Sequence, residues 1–108
     1  MERYDVYVTK TADFEMFKAV DYIANELHSP IAAEELMTRF ERAIAGLSEM
    51  PEIHSPVLQA DGYRKILVKK YIMFFTVDGL NKTVNVERVL HSSQNWIDIL
   101  NQRSELHV

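Results

Sequence analysis

The chain has 108 residues, a length that suits one domain, and its 47% hydrophobic and 26% charged residues are typical of a soluble globular protein. It contains no cysteine, which excludes a disulfide framework and a thiolate metal site. No apolar run approaches the ~18 residues of a membrane span, and a formal charge of -4 argues against general affinity for nucleic acid, so we expect a cytoplasmic protein that does not enter the membrane.

The N-terminal part predicts a strand followed by a helix. Tyr4 to Thr9 alternates apolar and polar side chains, which is typical of a strand. Thr11 is a suitable N-cap, since its hydroxyl oxygen can accept a backbone N–H of the first turn. Apolar residues then recur at spacings of three and four and predict one buried helix face; they are Phe14, Phe17, Val20, Ile23, Ala24 and Leu27. This spacing favours a core position for Phe14 and Phe17 over a role in ligand binding.

A second helix follows after a short break. His28-Ser29-Pro30 interrupts the first helix, Ser29 can cap the next one, and Pro30 suits its first position. Met50-Pro51 marks the end of this helix. Its apolar stripe consists of Leu36, Phe40, Ala43, Ile44 and Leu47. The tight break between the two helices predicts an antiparallel helical hairpin.

The loop that follows, Glu52 to Asp61, is polar and contains His54. His54 and His91 are possible metal ligands, but no third ligand lies at a suitable spacing. A structural or solvated role is therefore favoured for each histidine. We expect neither a metal ion nor a cofactor.

The next part of the chain is dense in strand-forming residues. Tyr63 to Val68 and Tyr71 to Val77 predict two strands joined by Lys69-Lys70, and the turn signal Asp78-Gly79 leads to a third strand, Thr83 to Leu90. The middle strand is apolar on both faces, so we predict an inner strand, covered by the hairpin on one face and partly buried on the other. The order β-α-α-β-β-β implies an α+β fold of two layers, in which the helical hairpin packs on a small antiparallel-rich sheet.

The C-terminal segment predicts a short helix with Ser93 or Asn95 as its N-cap. The polar residues from Gln102 to Val108 predict an irregular end. Three residues of this segment are expected to fold back on the core: Trp96, Ile97 and Leu100.

Charge is distributed unevenly along the chain. The first 60 residues carry 5 Lys and Arg against 11 Asp and Glu, whereas residues 61–108 carry 7 against 5. Four basic residues fall within seven positions: Arg64, Lys65, Lys69 and Lys70. Such a patch attracts an anionic partner even on an acidic molecule. Charges on an edge strand also prevent aggregation, so both roles stay open for the two lysines of the turn.

Arg88 and His91 are the candidate polar residues of the last strand. Alternation places Arg88 in phase with Val84, Val86 and Leu90, and out of phase with His91. The two side chains therefore face opposite sides of the sheet unless a β-bulge re-aims one of them.

The order and spacing of these segments resemble the toxins of the bacterial RelE/ParE superfamily, which belong to type II toxin–antitoxin systems. The resemblance covers nearly the whole chain and implies a single toxin domain over residues 1–108. The residues that carry it are Tyr7-Val8-Thr9, Ala12-Asp13, Tyr22-Ile23-Ala24, Leu27, Pro30, Ala32-Ala33, Leu36, Leu47, Met50-Pro51, Tyr63-Arg64, Tyr71 to Val77, Arg88-Val89-Leu90-His91, Asn95-Trp96 and Ile99-Leu100.

The resemblance implies one of two activities. RelE-like members cleave mRNA on the ribosome with basic residues, whereas ParE-like members inhibit DNA gyrase and need no nuclease site. Here Ile72 follows Tyr71 where many of the nucleases have arginine, and Ser92-Ser93 stands where they often have a basic pair. These departures favour a ParE-like gyrase inhibitor. The alternatives are a ribosome-dependent mRNA endoribonuclease and a degenerate, non-toxic module that only binds an antitoxin.

The resemblance also implies partners and site residues. A cognate antitoxin is expected to neutralise the toxin within a plasmid-stabilisation module, and operator DNA is expected to be contacted only through that antitoxin. The candidate catalytic residues are Arg88, His91, Arg64 and Lys65. The candidate residues for binding the antitoxin or the target are Arg64, Lys65, Lys69, Lys70 and Tyr71.

Overall fold

The computed structural model describes residues 2–105, with side chains as far as Gln102. No helix within this part of the chain is long and apolar enough to cross a membrane. We predicted an irregular end from Gln102 onward, and this is wrong for residues 102–105, because the last helix continues to Glu105. The rest of that prediction concerns residues 106–108, which lie outside the described part. The elements in chain order are β1 (Asp5–Val8), α1 (Lys10–Asp21), a π-helical turn (Tyr22–Glu26), α2 (Pro30–Gly46), a 3-10 turn (Pro51–Ile53), β2 (Arg64–Val68), β3 (Tyr71–Asp78), β4 (Thr83–His91) and α3 (Trp96–Glu105).

The four strands form one mixed sheet in the order β1-β4-β3-β2. β2, β3 and β4 make the predicted antiparallel meander, with Val68 opposite Tyr71 and Asp78 opposite Thr83 at its two turns. β1 pairs in parallel with β4, with Asp5 opposite Thr83. A parallel pair needs a long connection, which the helical hairpin and the first two strands of the meander provide. The predicted α+β architecture is confirmed.

α1 and α2 form the predicted hairpin, although α1 begins earlier than expected. Its N-cap is Thr9, whose Oγ1 accepts the Ala12 N–H at 3.0 Å, and not Thr11, which lies inside the helix. The reason is that β1 ends one residue before Thr9, so the chain passes directly from strand to helix. Ser29 is the N-cap of α2 with Pro30 in its first turn, as predicted, but the Ser29 side chain makes no capping hydrogen bond.

The break between the two helices is a widened turn. α1 continues into the π-helical turn, in which the Leu27 N–H donates to the Tyr22 carbonyl at 3.1 Å. His28 then adopts a φ of 52°, and this left-handed residue ends the helix. Because a π turn holds more residues than an α turn, the apolar stripe loses its phase here. Leu27 is therefore 56% exposed and not buried as the stripe predicted.

The main core lies between the hairpin and one face of the sheet. The buried face of α1 runs through Ala12, Met16 and Ala19, at spacings of four and three. Phe14 and Phe17 lie off this face and are 58% and 63% exposed, so our prediction that they belong to the core is wrong. The other buried residues of this cluster are Leu36, Phe40, Leu47, Val68, Met73, Phe75, Val84, Val86 and Val89.

The opposite face of the sheet carries a second, smaller cluster beneath α3. Trp96 covers it, with its ring 5.4 Å from the ring of Phe74, and Leu100 is buried as predicted. Ile99 packs there in the place that we predicted for Ile97. β3 is thus an inner strand with both faces covered, as expected. The cluster consists of Val57, Ala60, Ile72, Phe74, Leu90 and Leu100, with Tyr63, Trp96 and Ile99 packed against it.

Candidate functional site

Tyr71 and His91 lie opposite each other on β3 and β4, where the sheet meets the tip of the hairpin. Their rings contact edge to face, with centroids 5.2 Å apart. Tyr71 also contacts the core residue Phe40 edge to face, at 5.8 Å. The pair is therefore held on one side by the main core.

A cleft of about 530 Å³ opens beside this pair, between the hairpin tip and the turn that joins β2 and β3. Its walls are mainly apolar, and two exposed lysines stand at the turn. We call it the Tyr71–His91 cleft. A cleft of this size can hold a small molecule or the side chains of a partner. Its lining includes Tyr22, Leu27, Leu36, Lys69, Lys70, Tyr71 and His91.

The loop after β4 sets the tautomer of His91. The Ser93 N–H donates to Nδ1 at 3.1 Å, and Ser93 Oγ lies 2.7 Å from the same nitrogen. The His91 N–H donates to Gln94 Oε1 at 2.8 Å, which fixes the loop. Because Nδ1 accepts a backbone N–H, we assign the proton of the neutral ring to Nε2. His91 therefore offers one fixed donor, Nε2–H.

Burial raises the pKa of the Tyr71 phenol, and the neighbouring Tyr22 phenol raises it further. Burial has this effect because it disfavours the charged phenolate. The Tyr71 hydroxyl is consequently protonated at neutral pH and serves as a hydrogen-bonding group. It is not a base at that pH.

Lys69 and Lys70 form the turn at the edge of the cleft. Lys69 has a φ of 55°, a conformation that costs a residue with a Cβ roughly 1–2 kcal/mol. Its ammonium lies 3.4 Å from the Glu35 carboxylate of α2. Arg39, one helical turn after Glu35, lies 3.7 Å from the same carboxylate in the favourable i,i+4 order. The ammonium of Lys70 makes no ion pair with any residue that the structure describes. Lys70 is therefore available to an anionic group.

A β-bulge determines where Arg88 lies. Arg88 is paired with Phe74, whereas Val86 is paired with the next residue of β3, so Glu87 is an extra residue in β4. The bulge takes Arg88 out of phase with the valines that precede it, which corrects our prediction that they share a face. It does not bring Arg88 into phase with His91.

The guanidinium of Arg88 is held by Glu15 of α1. Nε and Nη2 donate to the two carboxylate oxygens at 2.7 to 3.1 Å, and the Val89 N–H donates to the same carboxylate at 2.8 Å. β1 pairs with β4 only as far as Val86, so Glu15 supplies the acceptor that a longer strand would have provided. The two side chains are only 24% and 14% exposed. Glu15 therefore occupies the Nε–Nη2 edge of Arg88, and that edge is open to a phosphate only if the pair breaks.

Arg64 and Lys65 lie at the other end of β2. Arg64 Nη1 donates to the carbonyls of Glu52 and His54 at 3.1 and 2.7 Å, which ties the preceding loop to the sheet. The Lys65 ammonium lies 5.1 Å from the centre of the Trp96 ring, on the α3 side of the sheet. Four predicted site residues are thus brought together in the cleft, namely Lys69, Lys70, Tyr71 and His91, and the three others, Arg64, Lys65 and Arg88, lie apart from them.

The two candidate metal ligands are also far apart. His54 packs edge to face on Phe75 at 5.8 Å, whereas His91 contacts Tyr71. Phe75 and Tyr71 are four residues apart on one strand, which is about 13 Å. Among the side chains that the structure describes, which end at Gln102, no group of three or more His, Cys, Asp or Glu is placed to hold a metal ion.

Sequence reasoning missed Glu15, Tyr22 and Leu27 as site residues. Tyr22 and Leu27 reach the cleft through the π turn, for which the sequence carries no clear signal. Glu15 meets Arg88 across 73 positions of sequence. A comparison of possible helix phases could have found it, because a buried face through Ala12, Met16 and Ala19 places Glu15 beside the sheet.

Solved structures with this arrangement of hairpin and mixed sheet are toxins and toxin–antitoxin complexes. A chain of the chromosomal ParDE system from P. aeruginosa superposes with a TM-score of 0.72 at 15% identity, covering 84% of this chain and 98% of that one. A chain of the RelBE2 toxin–antitoxin complex from Mycobacterium tuberculosis superposes with a TM-score of 0.60 at 23% identity, covering 87% of this chain and 97% of that one. A mutant of the E. coli toxin RelE in the free state superposes with a TM-score of 0.65 at 15% identity, covering 94% of this chain and 97% of that one. At these identities the likeness concerns the fold, which is that of the RelE/ParE toxins.

A comparison of the sequence with protein-family models identifies the family within this class of toxins. The model described as the ParE toxin of the type II toxin–antitoxin system, parDE, matches residues 6–96. The chain therefore belongs to the ParE toxin family, and it is a type II toxin of the RelE/ParE superfamily, as the resemblance implied. A comparison with curated proteins finds no match.

Proposed function

We propose that this toxin inhibits DNA gyrase by binding it, and that a cognate antitoxin neutralises the toxin. The observation that carries the proposal is the state of Arg88, whose guanidinium forms a mostly buried, bidentate pair with Glu15. An arginine held in this way supports the fold and supplies no free charge beside His91. Binding a protein target needs complementary surface and no such charge.

A nuclease site has stricter requirements. Cleavage through the RNA 2′-hydroxyl needs a base, an acid, and positive charge where the phosphate becomes more negative. The cleft offers His91, whose Nδ1 accepts the Ser93 N–H, a protonated Tyr71 and the lysines of the turn, while Arg64 and Lys65 lie at the far end of β2. Loss of one well-placed donor typically costs ~10²–10³ in rate. Cleavage by this set of residues would therefore be slow.

On the opposite face of the sheet the candidate donor is Lys65, whose ammonium lies over the Trp96 ring and apart from His91. Ile72 and Phe74 of β3 point to that face and are buried beneath Trp96 and Leu100 of α3. Phosphate has no polar partner in such an apolar cluster. This arrangement also supports binding over catalysis.

Exposed apolar surface supports a protein partner. Phe17 and Met37 are 63% and 47% exposed and lie along a groove of about 520 Å³ between α1 and α2. Contiguous apolar surface of this kind marks interaction sites. A partner segment that folds on binding can extend over several such surfaces, of which this groove is one. We therefore expect the product of the neighbouring reading frame to form a stable complex with this chain, and a pull-down that returns no complex would count against the antitoxin.

The target can be tested in cells by inducing the toxin and following incorporation of labelled thymidine and labelled methionine. Gyrase inhibition predicts that DNA synthesis stops first while translation continues, and that co-expression of the antitoxin restores growth. Early loss of translation with cleaved mRNA would instead support the ribosome-dependent endoribonuclease, and His91→Ala should then abolish the cleavage without unfolding the protein. Unchanged growth and synthesis would support the degenerate antitoxin-binding module.

A further inference from the structure

We infer that the Tyr71–His91 cleft is the anchor site for the antitoxin, and that it takes an apolar side chain flanked by carboxylates. The inference rests on the proposed antitoxin and adds the place and the chemistry of its contact. Three features of the cleft carry it: exposed apolar walls, a lysine at the edge that makes no ion pair with the described residues, and a ring nitrogen of His91, Nε2, held in a fixed position.

The walls of the cleft lack a covering group. Leu36 and Tyr71 form its floor against the core, while Tyr22 and Leu27 at the hairpin tip are 51% and 56% exposed. Large apolar side chains at the edge of a concave surface gain most when a partner side chain enters between them. The cleft therefore suits a leucine, methionine or phenylalanine from a partner segment.

The charge at the edge selects the flanking residues. Lys69 is already engaged by Glu35, but Lys70 has no ion pair among the residues that the structure describes. A carboxylate beside the apolar anchor would pair with Lys70, and His91 would add a second donor, Nε2–H. An acidic segment is thus favoured over a basic one.

The other apolar groove is more acidic than the cleft, in which the lining carboxylate of Glu35 is paired with Lys69. The groove between α1 and α2 is lined by Phe17 and Met37 but bordered by the carboxylates of Asp13, Asp21 and Glu41. Carboxylates of a partner would be repelled there, since like charges across an interface are costly. An acidic, apolar segment is therefore directed to the cleft rather than to the groove.

Two substitutions in the purified toxin test the anchor site, with the intact antitoxin as the ligand in isothermal titration calorimetry. Ala32 is an exposed residue of α2 that lines the cleft, so Ala32→Trp fills the cleft without removing a core contact. Lys70→Glu reverses the charge at its edge. We expect each change to weaken antitoxin binding by about tenfold or more.

Matched controls separate these effects from general damage. Ala45→Trp adds the same bulk at an exposed position near the other end of α2, and Lys10→Glu reverses an exposed charge at the start of α1. Both should bind the antitoxin within about threefold of the unaltered toxin, and circular dichroism should show that all four variants are folded. A scan of Asp and Glu to Lys in the antitoxin should restore binding to Lys70→Glu at one position.

Each outcome bears on a different claim. If the unaltered toxin binds the antitoxin and the two cleft variants bind equally well, the anchor site is wrong while the proposed function stands. If the cleft variants lose gyrase inhibition and keep antitoxin binding, the cleft belongs to the target and the inference is also wrong. If the unaltered toxin binds no antitoxin, the proposed partner itself fails.

Discussion

Glu15 joins α1 to two neighbouring residues of β4 through one carboxylate. It lies on α1, pairs with the guanidinium of Arg88, and accepts the Val89 N–H at the edge of β4 that β1 leaves unpaired. Charge-assisted hydrogen bonds in a mostly buried position contribute more than the same bonds on the surface. Glu15 is therefore a main support of the region beside His91.

Glu15→Ala should destabilise the protein by about 2–4 kcal/mol, because it leaves the Arg88 charge and the Val89 N–H without their acceptor. The matched control is Arg3→Ala, which breaks an ion pair to Glu49 whose side chains are 71% and 50% exposed. That change should cost less than about 1 kcal/mol. Urea denaturation measures both, and equal losses would contradict the structural role given to Glu15.

Tyr71 gives the stability a pH dependence of known sign. Its folded-state pKa is raised by burial and by Tyr22, so the unfolded state releases the phenol proton first as the pH rises. Stability linked to this group is complete below its ordinary pKa of about 10 and is lost as the pH rises from there towards the folded-state pKa. The free energy of unfolding of the Tyr71→Phe variant should fall less steeply with pH than that of the unaltered protein between about pH 9 and pH 11, as measured by denaturation curves at each pH. The exposed Tyr7→Phe is the control, and identical slopes for Tyr71→Phe and the unaltered protein would count against a buried phenol.

At the scale of the elements, the sequence predicted the order of helices and strands because strand formers, turn residues and helical periodicity act locally. It placed Phe14 and Phe17 wrongly on the buried face of α1, because they fit an apolar stripe as well as Ala12, Met16 and Ala19 do. Val20 and Ile23 of the predicted stripe do pack against the main core. The choice between the two faces depends on how closely α1 approaches the sheet, and this is a tertiary property that small residues determine.

A pair of phenylalanines, one on each helix of the hairpin, tests directly which side chains belong to the main core. Phe40 is 2% exposed in the main core, whereas Phe17 is 63% exposed on the outer side of α1. Phe40→Ala should cost about 3–5 kcal/mol because it leaves a cavity, and Phe17→Ala should cost less than about 1 kcal/mol. Thermal or urea unfolding gives both values. A loss below about 1 kcal/mol for Phe40→Ala would mean that its ring is not part of the core.

The candidate site was predictable only in part, for two physical reasons. Lys69, Lys70, Tyr71 and His91 come together because strand pairing follows from the turn between β2 and β3 and from the antiparallel meander. The separation of Arg88 from this group depends on a bulge and on a partner 73 positions away. Neither leaves a local pattern in the sequence.

At the scale of the whole molecule, the acidic and basic parts of the chain form surfaces of different kinds. The acidic first half supplies the outer groove of the hairpin, with its carboxylate border, and the turn between β2 and β3 supplies the lysines of the Tyr71–His91 cleft. A toxin that acts through contact needs such differentiated surfaces, because charge complementarity gives specificity to an interface. Among the side chains described, Arg88 is held by Glu15 and lies apart from His91, which is consistent with this mode of action.

The most direct test is a supercoiling assay with purified toxin, DNA gyrase and relaxed plasmid, run in parallel with a translation reaction on a reporter mRNA. We predict that the toxin stops supercoiling, that the antitoxin reverses the effect, and that the mRNA stays intact. Intact supercoiling together with mRNA cut at ribosome-occupied codons would contradict the proposed function.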